Sequence, residues 1–148
     1  MYKTTNISVM TIREASGEKM NGPAAAAALV SDIADCAQEQ FIVLTLNTKN
    51  RLIDRHLVSL GTVNSSLVAP REVFRPAIMD AASSVILVHN HPSGDSSPSS
   101  QDIQITKKLI EAGHILGISI MDHLIIGRPT AASEGWLSLR ETGLVEFK

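Results

Sequence analysis

Residues 84–102 read Ser84-Val-Ile-Leu-Val88, then His89-Asn-His-Pro-Ser-Gly-Asp-Ser-Ser-Pro-Ser-Ser-Gln-Asp102. The first five form a short apolar stretch that suits a strand buried on both faces of a sheet. The remainder is rich in Ser, Pro and Gly and has the composition of a linker. Dividing the chain there would leave two pieces too small to fold well alone, and the stretch holds three side chains of metal-ligating type. In a strand, residues i and i+2 face the same way, so His89 and His91 project from one side of the strand end. The pattern that follows predicts a helix from roughly Ser99 to Leu116, with Ile105, Leu109, Ala112 and Leu116 as its apolar stripe. Asp102 stands three residues before Ile105 and seven before Leu109, on the inward face, and Ser99 lies a further step of three back.

Two imidazole nitrogens and a carboxylate oxygen are the ligand set of a catalytic zinc with its fourth position open for water. Imidazole with carboxylate also serves iron, manganese or nickel. Spacing alone leaves the alternative equally open: a surface histidine pair beside a helix-start acid favoured by the dipole.

Outward from this stretch, the chain alternates strands and helices. Phe41-Ile-Val-Leu-Thr-Leu46 is a continuous run that reads as another strand buried on both faces. Asn47–Asn50 is turn-like and Arg51–Leu60 resumes a strand, giving a hairpin. Upstream, Asn21 or Gly22 caps a helix with Pro23 at its first position, and Ala26, Leu29, Val30, Ile33 and Ala37 carry it to about Gln38. Pro70 opens a second helix with Val73, Ala77, Ile78 and Ala81 on one face. Downstream, two short strands are expected, Ile118–Met121 and His123–Ile126. A loop from Gly127 to Gly135 follows, and Trp136–Val145 closes the chain. The expected class is mixed α/β with a central sheet. Residues 1–20 are read as an N-terminal segment with a short strand around Ile7–Ile12, and residues 21–148 as the domain.

The 148 residues fit one domain able to bury about 70% of its unfolded surface, so neither metal nor disulfide is needed merely to fold. Formal net charge is −2 and aromatics are 3%, which weighs against a polybasic nucleic-acid or membrane module and against a base-stacking platform. Cys36 is the single cysteine, so neither an internal disulfide nor a Cys-rich zinc site can form. No apolar stretch approaches 18 residues and the first ten lack a signal-peptide pattern, so a cytoplasmic setting without a membrane span is expected.

The segment His89-x-His91, seven residues, Ser99, two residues, Asp102 resembles the JAMM signature of the JAB/MPN metalloprotein superfamily. The wider context is similar to its bacterial RadC branch. Matching segments are Glu39-Gln-Phe41, Leu46-Asn-Thr-Lys-Asn-Arg-Leu-Ile53, Pro70-Arg-Glu-Val-Phe74, His89-Asn-His-Pro-Ser-Gly-Asp95, Pro98-Ser99, Ile105-Thr-Lys-Lys-Leu109, Asp122-His-Leu-Ile-Ile-Gly127 and Ser138-Leu-Arg-Glu-Thr-Gly143. The resemblance spans roughly Asn21 to Val145. It implies a curved mixed β-sheet flanked by helices, with an architecture related to the cytidine deaminases, and a zinc-dependent hydrolase. On the resemblance, His89, His91 and Asp102 are the Zn2+ ligands, Ser99 stabilises the oxyanion and Glu39 is the general base, with Glu72 as the second choice. The substrate class it implies is a peptide or isopeptide. Longer members carry a DNA-binding helix-hairpin-helix region ahead of this domain. This sequence has only about 20 residues there, so a DNA-repair role is weakly supported. The sequence leaves oligomeric state open, and the third reading is a non-catalytic interaction module.

Other residues read as structural. His123 is expected to bond within the sheet, and His56 and His114 show no sequence partner. Asp95 beside Gly94 fits turn chemistry better than ligation, and Cys36 is a packed thiol. Lys107 and Lys108 form a solvated helix face and Trp136 belongs to the core. The deaminase ligand set, H-x-E with P-C-x-x-C, cannot be made with His at position 91 and one cysteine.

Overall fold

A computed structural model describes residues 17–61 and 68–148. The elements, in chain order, are α1 (Pro23–Leu29), β1 (Gln40–Leu46), β2 (Leu52–Leu60), α2 (Pro70–Met79), β3 (Ser84–Asn90), α3 (Ser100–Leu116), β4 (Ser119–Ile126), β5 (Trp136–Ser138) and α4 (Leu139–Thr142). The sheet order is β2-β1-β3-β4-β5, with β3 and β4 parallel and the other neighbours antiparallel. The mixed α/β class with helices flanking a mixed sheet is therefore what the chain adopts. The expected strand around Ile7–Ile12 lies outside the described residues.

The two continuous apolar runs become the inner strands. Every residue of β3, and all of β1 after Gln40, is buried. Alternate side chains enter two separate cores. One core, holding Phe41, Val43, Val85 and Leu87, packs under α2 and α3 through Val73, Phe74, Ile105 and Leu109. The other, with Ile42, Leu44, Ile86 and Val88, packs under α1 through Ala26, Ala27 and Val30. The linker-like stretch after β3 thus joins the middle of the sheet to the helix that covers it.

Three local expectations are corrected. The first helix ends at Leu29 rather than near Gln38. Val30 leaves helical geometry, and a single 3₁₀ turn, Ser31–Ile33, follows. Val30, Ser31 and Asp32 are all weak helix formers. The turn buries Ile33 completely, and that burial, about 1.5–3 kcal/mol, exceeds the roughly 1 kcal/mol net value of a helical hydrogen bond given up. Ala37, expected on the buried stripe, is exposed. In α2 the buried residues are Val73, Phe74 and Ala77, whereas Ile78 is exposed and Ala81 lies past the helix end at φ 52°. Phe74 fills the space instead, reaching α3 where Gly113 leaves room: a Cβ there would lie 3.1 Å from the Phe74 ring. The two expected strands after α3 are one continuous β4. Its pairing with β3 skips Met121, so Ile120 sits beside Val85 and Asp122 beside Ile86. This bulge puts Ile120 and His123 on the same face although they are three residues apart.

Candidate metal centre

The end of β3 and the start of α3 meet above the α3-side core. His89 is fully buried there, and Phe41, its neighbour on β1, lies parallel to its ring at a centroid distance of 6.0 Å. His89 Nε2 is 3.0 Å from Asp102 Oδ1 and 3.1 Å from His91 Nε2. His91 Nε2 is 3.1 Å from Asp102 Oδ2. One donor atom from each of these three residues falls within 4.8 Å of the others. The spacing argument from the strand and the inward placement of Asp102 are both met.

Each of the three is held from behind. Asp102 is the third residue of α3, and Ser99 is its N-cap. Ser99 Oγ accepts from the Asp102 N–H at 3.1 Å, while Asp102 Oδ2 accepts from the Ser99 N–H at 2.8 Å. This reciprocal capping box fixes the carboxylate relative to the helix. Ser99 itself is exposed rather than turned inward. His91 Nδ1 lies 2.7 Å from the backbone oxygen of Asp95. That loop is shaped by the Asp95 carboxylate, which accepts from the Ser97 N–H at 2.9 Å, so Asp95 does the turn work expected of it. His89 Nδ1 is 2.8 Å from His123 Nε2, and His123 Nδ1 is 2.5 Å from Thr106 Oγ1. Thr106 donates to the Asp102 backbone oxygen at 2.6 Å, one helical turn back.

Electrostatics follow from these contacts. Burial pushes the Asp102 carboxyl up, but hydrogen bonds from His89 and His91, the charge of His89 and the Ser99 N–H together outweigh it. The group is held far below the usual carboxylate range. His91 is raised, chiefly by its hydrogen bond to Asp102 against the cost of burial, with help from the Asp95 carbonyl and the Glu39 charge. His123 is pushed well down by burial. Two imidazoles and a carboxylate of strong anionic character, aimed at a common point, form a donor set that fits a divalent transition metal.

Glu39 is half-buried just before β1, near enough for its charge to act on His91. Its segment is pinned by Asn90, which is fully buried between the two histidines in sequence and faces the other way. Asn90 Oδ1 accepts from the Gln40 N–H at 2.6 Å, and its Nδ2 donates to the Gln38 oxygen at 3.1 Å. Glu72 pairs with Arg71 and Arg75, each at 3.4 Å, as a helix-start acid does at a surface. Asn90, Phe41 and Thr106 stand in quoted segments, but the sequence reading gave none of them a role at the site. Only Thr106 left a usable signal, being one turn after Asp102 on the same helix face. His56 has a partner after all: its Nε2 is 2.6 Å from Asp80 Oδ2, which also accepts from Thr45 at 2.8 Å. Cys36 is half-buried and accepts from Gln40 Nε2 at 3.2 Å.

A family model described as the RadC-like JAB domain matches residues 20–144. The chain belongs to this family. The RadC-like domain is similar to a UPF0758 protein of Desulforamulus reducens, 50% identical over 117 residues that cover 79% of this chain and 49% of that protein. It is likewise similar to a UPF0758 protein of Methanosarcina mazei, 50% identical over 109 residues, 74% of this chain and 45% of that protein. A third, from Geobacillus kaustophilus, is 50% identical over 117 residues, 79% of this chain and 50% of that protein. The chain spans about half the length of the curated relatives it matches. Among the described residues, no helix of the RadC-like domain is long and apolar enough to cross a membrane.

Proposed function

We propose that this RadC-like domain is a zinc-dependent hydrolase of the JAMM metallopeptidase or isopeptidase type, acting in the cytoplasm on an amide or isopeptide bond. The observation that carries the reading is the convergence of His89 Nε2, His91 Nε2 and the Asp102 carboxylate on one point at a partly open strand end. These three residues would hold the ion. When bound, zinc would supply Lewis acidity and bring the pKa of a water to about 7. Glu39 would take the proton of the attacking water and deliver it to the leaving amine. Its half-buried position and its electrostatic reach to His91 support that role. Ser99 would donate its hydroxyl to the carbonyl oxygen as charge develops there. Its Oγ accepts from Asp102, and its own proton meets no acceptor among the described residues.

Metal analysis of purified wild type and His89→Ala tests the site. Near-stoichiometric zinc in the wild type and loss in the variant are expected, and equal substoichiometric zinc in both would sink the reading. Chelator-sensitive cleavage of a peptide or isopeptide library tests the activity. Salt-sensitive affinity for duplex or branched DNA, with no cleavage, would favour a DNA-processing role instead.

A further inference from the structure

A second group of ligand-type side chains gathers where the β1–β2 hairpin meets the end of α2. Asp54 and His56 are two apart on β2, opposite Thr45 and Val43 of β1, so both project from one face of the sheet. Asp80 is the C-cap of α2 and brings its carboxylate to them. His56 Nε2 lies 2.6 Å from Asp80 Oδ2 and 3.9 Å from Asp54 Oδ2. One donor atom from each of the three falls within 4.8 Å of the others. Thr45 ties both acids to β1: its hydroxyl donates to Asp80 Oδ2 at 2.8 Å and accepts from the Asp54 N–H at 3.1 Å. This group is separate from the first centre. Thr45 stands four residues along β1 from Phe41, the neighbour of His89, a separation of roughly 13 Å.

The charges at this place call for a cation. The Asp80 side chain is only 3% exposed, and it sits at the carbonyl end of α2, where the helix dipole favours positive charge. Asp54 adds a second carboxylate beside the same imidazole. We propose that Asp54, His56 and Asp80 form a second divalent-metal site, which takes zinc or an ion of similar preference and clips the edge strand β2 to the end of α2. One imidazole with two carboxylates suits such an ion. Bonds of about 2.0–2.1 Å to a tetrahedral ion set donor atoms roughly 3.3 Å apart. The two His56 separations, 2.6 and 3.9 Å, bracket that value, so side-chain rotation alone admits the ion. Thr45 supplies the outer hydrogen bond that orients a ligating carboxylate. The site is more open than the first. Asp54 and His56 are 54% and 26% exposed, against 1%, 16% and 6% for His89, His91 and Asp102. Water competes more strongly there, so the second site fills at higher zinc than the buried centre.

Equilibrium dialysis of tag-free, chelator-treated protein against rising zinc tests the second site independently of the first. The wild type is expected to bind two equivalents, one tight and one weaker, and His89→Ala to keep the weaker one. Asp54→Asn keeps the Oδ1 acceptor for the Arg55 N–H at 2.8 Å and leaves the His56–Asp80 contact in place, so the fold is retained. It is expected to weaken the second equivalent at least about 10-fold and to leave the tight one unchanged. His56→Gln, which can still donate to Asp80, is expected to do the same. One equivalent in the wild type that His89→Ala loses would overturn the inference, leaving His56 alone to stand between the two acids, and the proposed function would survive. Two equivalents held at full affinity by folded Asp54→Asn and His56→Gln would also overturn it. One equivalent that His89→Ala keeps and Asp54→Asn weakens would uphold the second site and overturn the metal centre of the proposed function.

Discussion

Asp102 has two duties that substitution can separate. Its carboxylate caps α3 by accepting from the Ser99 N–H at 2.8 Å, and the same group faces both histidines. In the folded chain Ser99 shares only the capping duty, through the 3.1 Å bond from the Asp102 N–H. Ser99→Ala removes the hydroxyl arm of the cap, a loss of about 1 kcal/mol for an exposed N-cap. In a domain of this size that lowers Tm by roughly 2–4 °C. Asp102→Asn keeps the shape and an oxygen for the Ser99 N–H, so most of the cap survives. Its amide nitrogen replaces one anionic oxygen against the imidazoles, which removes the ligand. Zinc at about 100-fold above its Kd stabilises the folded state by about 2.7 kcal/mol, or roughly 5–11 °C in Tm. Thermal unfolding with and without zinc, followed by circular dichroism, separates the two effects. Ser99→Ala starts lower than wild type and keeps the full zinc increment, whereas Asp102→Asn loses the increment. An undiminished increment in Asp102→Asn, or its complete loss in Ser99→Ala, would refute the division of labour.

Zinc affinity is expected to fall as pH drops, beginning above the ordinary histidine value near 6.5. The raised His91 holds a proton that must leave before the metal enters, and competition titrations across a pH series check this. Constant affinity from pH ~8 to ~6 would contradict it. Glu39→Gln is expected to retain zinc while turnover falls at least about 100-fold, and Glu72→Gln, a surface partner of Arg71 and Arg75, to leave turnover unchanged. The reverse pattern in a cleavage assay would make Glu72 the base. Gly127→Ala would drive a Cβ to 2.2 Å from the Gly94 oxygen, backbone against backbone. That crowding is expected to cost about 1–3 kcal/mol in denaturant unfolding and to weaken zinc binding by shifting the loop that orients His91. A Gly127→Ala protein with wild-type stability would show that the loop yields freely.

The inner strands were legible because burial on both faces writes the same message at every position. Phe41–Leu46 and Ser84–Val88 need no partner to be recognised. Helix α3 was legible from its local periodicity, which placed Ile105 and Leu109 inward as found, although Leu116, read on the same stripe, is exposed. The end of α1 was not, because the burial of Ile33 depends on a sheet that local propensity does not see. Strand β4 read as two pieces because the bulge at Met121 breaks the alternation, and only pairing with β3 shows that the strand continues through it.

The sequence alone singled out the three side chains that could meet and left open whether they do. A histidine pair two apart at a buried strand end and an acid one turn inside the next helix share a face by backbone geometry. Tertiary structure decided how those atoms are held. Phe41, Asn90, Thr106 and His123 come from three different strands and a helix, and their contacts with the ligands and with the Glu39 segment are set by inter-strand register. A one-residue bulge changes that register by a full face. His123 reaches His89 only through such a shift, so the candidate metal ligands could be read in one dimension while the residues behind them required three.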